Sequence, residues 1–532
     1  MSADKTKDSD LVLIDNAFLK QEKYLDRWLE YERYYKSKFS EKQYKKLKKS
    51  GRSKLFISTT RNTVNIVRSI FSTSFFSKGC PIELIDLNDN GGVKENSLTK
   101  VVKYYYDKLK PAKELNKAFL SALIFNIGIV AVYWDSEKKK VITAHVPITD
   151  IAFDPEARNI DDVEYFAYEF NESISSIKYK FEKEIYGKIG NKKALKIKEV
   201  FSDEQLELES SSKRHKVKEI YKRDAEEGWV YKTYINNKCV RKANIKIPPF
   251  DWGIALETIA YIDEDERAEQ NLVYGESLVN YIKDLNDEIN QKRNQKNDIQ
   301  EEMINPSVYV GDKSGVNVND LKKGPGKRIR VTGNVNDIKE IRTPSEYPLN
   351  ADLSILDKDL SESSGVNSIQ NGNTSSSDRR SAQALAVVNS NSTTRIADMI
   401  GLINETLFEH WAKDFVRLVL ANADDNVVNR ITGLEFPFGK KGSRDNLEYD
   451  MKINFGMSID KDKRISDLMN MLLPILQSKN LNPAIVERVL KEVLSHFLGD
   501  NKMLDEIFTP AQEEGNGNAS SDAGMDELGM LI

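Results

Sequence analysis

The chain is organised by a stretch of alternating apolar and polar character between Tyr274 and about Ala421. Leu278, Ile282, Leu285 and Ile289 recur at four-three-four spacing, which places them on one face of a helix. No proline or glycine interrupts the run between Gly275 and Pro306, so about 30 residues can form a rod of about 45 Å. After Ile289 the pattern changes: residues 290–297 are all Asn, Gln, Lys or Arg, with Ile299 and Met303 the later apolar anchors. A helix apolar at one end and polar nearly all round at the other is not a core helix throughout. It is expected to run along water or along copies of itself. Pro306–Val310 then reads as a short strand. A turn-rich insertion to Pro348 includes a further strand at Arg328–Val331, and a helix follows at about Leu349–Leu360. A polar Gly-containing loop runs from Ser361 to Arg380. A second long helix carries Ile396, Ile400, Ile403, Leu407, Trp411, Phe415 and Leu418 at helical spacing.

Upstream, residues 10–50 read as an amphipathic helical region with Leu19, Tyr24, Leu25, Trp28, Leu29, Tyr31 and Tyr35 as its apolar face. It turns basic at Lys42, Lys45, Lys46, Lys48, Lys49, Arg52 and Lys54, either a solvated face or a contact for a polyanion or acidic partner. Helices are expected at Thr60–Phe76 and over residues 97–126, the latter ended by Gly128. A hairpin of Ile129–Trp134 and Val141–Val146 follows, then strands at Val163–Glu169, Val217–Tyr221, Trp229–Ile235 and Cys239–Ile247. Residues 171–215 read as helical and charged. Strands at Leu434–Phe438 and Met451–Phe455 precede a helical end and a polar tail from Glu513, which is expected to be disordered. The fold class is α+β, mainly helical with a mixed domain inside it.

Composition narrows the function more than the fold. The 532 residues hold 79 Lys and Arg against 83 Asp and Glu, a net charge of −4, which argues against a generic nucleic-acid coat. Apolar residues make up 39% and mean hydropathy is −0.54, so a soluble, polar chain is expected. Cys80 and Cys239 make neither a disulfide framework nor a multi-cysteine zinc site, and four scattered histidines offer no ligand spacing. The N-terminus lacks the order of a signal peptide, and no apolar run approaches about 18 residues. A protein made in the cytoplasm with no membrane association is therefore expected.

No enzyme constellation is found, and neither a metal nor a cofactor is called for. Residues 433–441 resemble a phosphate loop but have five residues between the glycines and Lys in place of the metal-binding Ser or Thr. The carboxylates Asp263–Glu266 are consecutive and diverge. A nuclease or ATPase would need clustered carboxylates or a true phosphate loop.

The order of parts resembles the portal protein, or head–tail connector, of tailed bacteriophages. The resemblance rests on soft motifs across residues 10–460: Arg52–Asn62, Phe75-Phe76, Pro147 with Phe153-Asp154-Pro155, Tyr274-Gly275-Glu276-Ser277, the Asn/Gln-rich helix ending at Asn305-Pro306, the insertion, the polar loop and the long helix. It implies a ring of twelve copies around a DNA channel, with an N-terminal helical region to residue 79, a wing at 80–273, and stem helices at 274–304 and 349–360. A clip at 305–348, a tunnel loop at 361–380, a wing helix with returning strands at 381–460 and a helical crown at 461–510 complete the expectation. Asn367, Gln370, Asn371, Asn373, Arg379 and Arg380 are the tunnel-loop candidates for touching DNA. Lys292, Arg293 and Lys296 are the stem candidates, and Lys322, Lys323, Lys327, Arg328 and Arg330 the clip candidates for docking a motor or adaptor. The implied partners are double-stranded DNA held without regard to sequence, the terminase large subunit, a head-completion or tail adaptor protein, and the major capsid and scaffolding proteins. The location implied is the virion. A rival reading is a scaffold or nucleic-acid-binding protein without a ring, gripping a polyanion through the basic N-terminal helix and the basic insertion.

Overall fold

A computed structural model describes residues 8–453 except 78, 86–92, 158–161, 188, 190–194, 203–212, 225–227, 258–272, 305, 318–320, 322–328, 342–346, 367–394 and 434–449. Helix α1 (Ser9–Tyr35) opens the chain under an Asp8 cap and buries Ile14, Ala17, Gln21, Trp28, Tyr31 and Tyr34. Those positions follow a three-and-four-residue stripe. Leu19, Leu25 and Leu29, expected on the same face, fall off that stripe and are exposed. Helix α2 (Glu41–Ser50) ends at Gly51, whose left-handed φ of 66° closes the C-terminus. An extended segment then leads into α3 (Thr59–Phe76).

The expected helix over residues 97–126 is two helices, α4 (Val93–Leu109) and α5 (Ala112–Phe125), divided at Lys110-Pro111. Gly128 does not end the second. Asn126 does, in the left-handed conformation, with its side-chain Oδ1 accepting from Leu256 N (2.9 Å) and its Nδ2 donating to Leu256 O (3.1 Å). Gly128 instead lies inside strand β2 (Ile127–Asp135), where a Cβ would sit 2.3 Å from the Ala118 carbonyl oxygen. Glycine there lets α5 lie directly on the strand.

Strand β1 (Ile82–Ile85) lies between α3 and α4, and β2 is the middle of a three-stranded antiparallel sheet. It pairs with β3 (Lys140–Val146) as the expected hairpin and with β9 (Phe250–Ile254), a strand the Pro248-Pro249 signal concealed. Beside it stands a five-stranded antiparallel sheet of β4 (Ile151–Phe153), β5 (Tyr165–Ser173), β6 (Arg214–Asp224), β7 (Gly228–Ile235) and β8 (Lys238–Ile245) in sequence order. Residues 171–215 were expected to be helical. Their ends belong to β5 and β6, and the described middle holds α6 (Ile174–Glu182) and α7 (Ile197–Val200).

Helix α8 (Leu278–Ile304) is the expected rod. Beyond it β10 (Val308–Val310) pairs antiparallel with β11 (Ile338–Glu340). The strand expected at Arg328–Val331 is absent over its described residues 329–331. Helix α9 (Tyr347–Ser364) runs past the expected end at Leu360 into the start of the expected polar loop. Helix α10 spans residues 395–422 and α11 (Asp425–Thr432), which was not expected, follows with Gly433 as its left-handed cap. β12 (Asp450–Ile453) pairs with β1, so the chain returns to its first strand. The expected strand at Leu434–Phe438 and the helical crown lie outside the described residues.

One large core joins α1, α3, α4, α5, β2, the first turn of α8 and all of α10. Two smaller ones hold the start of α1 against the five-stranded sheet and α6 beneath that sheet. Gly128→Ala is expected to lower unfolding stability by about 1–3 kcal/mol, because the methyl group forces α5 and β2 apart. Urea denaturation measures it, and an unchanged midpoint would contradict the close approach.

Candidate stem and channel elements

The motif Tyr274-Gly275-Glu276-Ser277 is where α8 is fixed to the rest of the molecule. Tyr274 is buried, with its ring 4.8 Å from Tyr24, 5.3 Å from Trp28 and 5.9 Å from Phe153. Its hydroxyl accepts from Phe153 N (3.2 Å) and from Gln21 Nε2 (3.4 Å), and the same Gln21 amide donates to Ile148 O and Ile151 O. A buried hydroxyl without such partners would be costly, so the tyrosine is held in one place by α1 and β4. Lys283 pairs with Glu30 at 3.0 Å and Tyr34 donates to Asp287 at 2.8 Å, which lays the first half of α8 along α1.

The polar second half has a partner that the hydropathy pattern did not reveal. Asn286, Asn290, Asn294 and Asp298 recur every four residues and form a row of acceptors on one face of α8. The segment before α3 runs along that row in the opposite direction. Ser53 N donates to Asp298 Oδ1 (2.8 Å), Leu55 N to Asn294 Oδ1 (2.8 Å), Ile57 N to Asn290 Oδ1 (2.6 Å) and Thr60 N to Asn286 Oδ1 (3.1 Å). Asn294 Nδ2 returns a bond to Leu55 O at 2.8 Å, so one amide side chain pairs with both groups of one peptide residue. The geometry works because two residues of extended chain rise about 6.6 Å and four of helix about 6 Å. The two repeats stay in step for three rungs. At the last rung Asn286 caps α3 from outside: Ser58 makes no side-chain cap, and Thr60 N finds its acceptor on α8. Asn286, Asn290 and Asn294 are buried. Neutral acceptors therefore suit these positions better than carboxylates would.

The opposite side of α8 faces α9. Lys292 pairs with Asp352 at 2.7 Å, and Lys296 donates to Asn350 Oδ1 at 2.7 Å. These two contacts set the helices antiparallel. Hydrogen bonding to the Asp352 carboxylate raises the Lys292 ammonium above its ordinary value. Of the three stem candidates, Lys292 and Lys296 are thus engaged within the chain, while Arg293 is exposed. Asp357 of α9 lies within its electrostatic reach.

Between α8 and α9 the β10–β11 ribbon stands almost without a core. Ser314 is the one buried residue among those described between 306 and 341, while Tyr309 (66%), Val335 (63%) and Ile304 (66%) are widely exposed. Arg330 is exposed beside it; Lys322, Lys323, Lys327 and Arg328 lie outside the described residues, as do Asn367, Gln370, Asn371, Asn373, Arg379 and Arg380.

Helix α10 lies on the three-stranded sheet, with Ile396, Ile400, Ile403, Leu407, Trp411 and Phe415 buried as their spacing predicts and Leu418 half-buried. It contains a π-helical turn at Asn404–Phe408. Thr406 Oγ1 donates to Leu402 O (2.8 Å) and accepts from Ile254 N (3.2 Å), so the turn is stitched to β9. Gly253 makes room, since a Cβ there would lie 2.6 Å from the Leu407 Cβ. Further along, buried Asp251 of β9 faces Asp414 and Arg417 of α10, and Arg417 holds Asp414 at 3.2 Å. Asp251 Oδ2 has no hydrogen-bond partner, and burial together with the Asp414 charge pushes its carboxyl well above the usual range. Burial raises the Asp414 carboxyl as well, against the lowering effect of Arg417.

Among the described residues no three His, Cys, Asp or Glu side chains gather as a metal site, and no helix is long and apolar enough to cross a membrane. The row of asparagines was visible in the sequence as a four-residue repeat, but their role was not: they are a receptor for backbone, and backbone has no sequence signature.

Two outcomes test this arrangement. Asn290→Ala leaves the Ile57 amide unpaired, at about 1–3 kcal/mol, and is expected to raise deuterium uptake across residues 53–58 with no change in β6–β8. Equal uptake would contradict the ladder. Asp251→Asn addresses the buried acid. The folded carboxyl holds its proton while the unfolded one ionises above about pH 4, so the unfolded state binds fewer protons and stability falls as pH rises. The substitution is expected to flatten that fall between pH 4 and pH 7 and raise the melting temperature at pH 7; an unchanged pH profile would exclude a protonated Asp251.

Residues 267–523, just under half of the chain, match the family described as phage SU10 portal protein. No curated protein matches the chain. The match begins shortly before Tyr274 and takes in α8, the ribbon, α9, α10 and α11, so residues 267–523 carry the phage portal-protein domain that the sequence resembles.

Proposed function

We propose that the chain forms a ring of twelve copies at one capsid vertex, serving as the channel for DNA packaging and ejection. The family match carries this reading, and the β10–β11 ribbon gives it physical support. A two-stranded ribbon of three-residue strands with no core of its own is marginal in water. Tyr309, Val335, Ile304 and Met303 expose apolar surface at the same end of α8 and α9, and Ile355 and Tyr281 expose more along the helices. Identical neighbours in a ring cover such surfaces by heterologous contacts that close on themselves.

In this reading α8 and α9 are the stem and the ribbon is the clip, docking the terminase large subunit and later the head-completion or tail adaptor protein through Arg330 and the candidates at 322–328. The wing and the crown meet the major capsid and scaffolding proteins. Asn367, Gln370, Asn371, Asn373, Arg379 and Arg380 form a tunnel loop that touches phosphates without reading bases. Internal pairing of Lys292 and Lys296 keeps those charges from gripping DNA, leaving Arg293 as the stem cation open to solvent. Tight grip is undesirable in a channel, because affinity rises with every phosphate neutralised. The chain itself performs no catalysis; ATP hydrolysis belongs to the motor.

Light scattering of the purified protein is expected to give a mass of about twelve times 60.7 kDa, with Tyr309→Asp or Val335→Asp shifting the peak toward smaller species. A stable monomer of normal stability that remains single in the presence of capsid and scaffolding proteins would overturn the ring.

A further inference from the structure

Helix α2 has no buried residue. Its ends are nonetheless fully determined. Ser40 and Gln43 cap each other reciprocally, Gly51 closes the other end, and Arg33 of α1 donates to Gln43 Oε1 at 3.4 Å. Phe39 meets Phe56 edge-on at 4.9 Å, and the Lys54 ammonium stands 5.7 Å over the Tyr44 ring. Both flanks of the helix are therefore tied, one to α1 and the other to the segment laddered on α8. It is held in position without being packed.

What it presents is charge. Residues 41–61 carry eight basic side chains and one acid, Glu41, a net of +7 in a chain whose total is −4. Glu41 is taken by Lys45 at 3.3 Å. Lys42, Lys46, Lys48, Lys49, Arg52 and Arg61 are exposed and have no acid partner among the described residues. Like charges three and four residues apart weaken a helix. Lys45 pairs with Glu41, and Lys48 and Lys49 sit in the last turn where cations suit the helix end, but no acid among the described residues answers Lys42 or Lys46. Lys42, Lys46 and Lys49 share one face, stepping about 6 Å and about 4.5 Å along the axis. Duplex DNA offers one charge per ≈ 1.7 Å of its axis, so every lysine of the stripe finds a phosphate. Tyr44, the one aromatic ring of α2, is exposed with the Lys54 ammonium 5.7 Å over it, and the helix carries no second ring on which successive unpaired bases could stack. Lysine acts as a point charge and leaves the base edges unread.

We propose that α2, with Arg52, is a docking surface for the phosphate backbone of double-stranded DNA, separate from the channel candidates at residues 367–380. This surface goes beyond the portal reading and does not require the ring.

The test is anisotropy of a fluorescent duplex of about 25 base pairs, long enough to span the stripe several times over, titrated with the full chain across a salt series. Lys42→Gln, Lys46→Gln and Lys49→Gln are combined in one variant. The expected result is at least about tenfold weaker binding at low salt and a salt slope smaller by about 2.7, at about 0.9 for each phosphate no longer neutralised. The matching Lys→Arg variant is expected to retain binding, and a single strand of equal length to bind more weakly than the duplex. Unchanged affinity and slope in the Gln variant would overturn the proposal. So would displacement of the duplex by poly-glutamate at lower charge concentration, which would assign the patch to an acidic protein. Light scattering of the same samples reports assembly, so a failure of the ring is read separately from a failure of this surface.

Discussion

The architecture depends on the pairing of a main-chain segment with side chains that repeat at helical spacing. Residues 51–58 connect α2 to α3 without joining a sheet, and the amides of Ser53, Leu55 and Ile57, with Thr60 in the first turn of α3, need acceptors. Asn286, Asn290, Asn294 and Asp298 supply them. This contact explains why α8 can be polar along its second half and still be held, and why the N-terminal region and the portal-family region form a single body from residue 8 to the end of α8. Without it, the second half of α8 would be steadied chiefly by Lys292, Lys296 and their partners on α9.

Two other fixtures hold α8 and α10 in place. Tyr274 ties its base to α1 and β4 through Gln21, in a pocket of aromatic rings. Helix α10 presses on the sheet that β9 completes, and its π-helical turn is bonded to that strand through Thr406. Such turns inside α-helices occur often at functional sites. Here the turn sits in the element that follows the expected tunnel loop, and the Asp251–Asp414–Arg417 cluster lies against the same helix one or two turns further on.

Much of this was legible in the sequence. The period of Leu278, Ile282 and Ile289 gave α8, and the spacing from Ile396 to Phe415 gave the buried face of α10. Alternation gave the β2–β3 hairpin and β5 to β8. What stayed hidden depended on partners far away in the chain. The four residues of β1 become a strand because Asp450–Ile453 come back to pair with them. β9 follows two prolines and forms because β2 has a free edge. Gly128 resembled a helix terminator, whereas its function is to let Ala118 approach. For the candidate site, sequence pointed to polar and basic residues; of the four described, Lys292 and Lys296 are engaged with α9 while Arg293 and Arg330 are exposed. The exposed ribbon at the tip of α8 and α9 was foreseen as a short strand at Pro306–Val310 followed by a turn-rich insertion; its pairing with β11 and its missing core are properties of three dimensions.

If this chain works as a closed ring, its subunits meet along α8, α9 and the β10–β11 ribbon. Electron cryo-microscopy of the purified protein, mixed with its capsid and scaffolding proteins if it is monomeric alone, tests this most directly. Class averages with rotational symmetry around an open bore are expected, with Tyr309 and Val335 covered by the adjacent subunit. Particles of a single chain, or rings in which those residues remain in solvent, would contradict it.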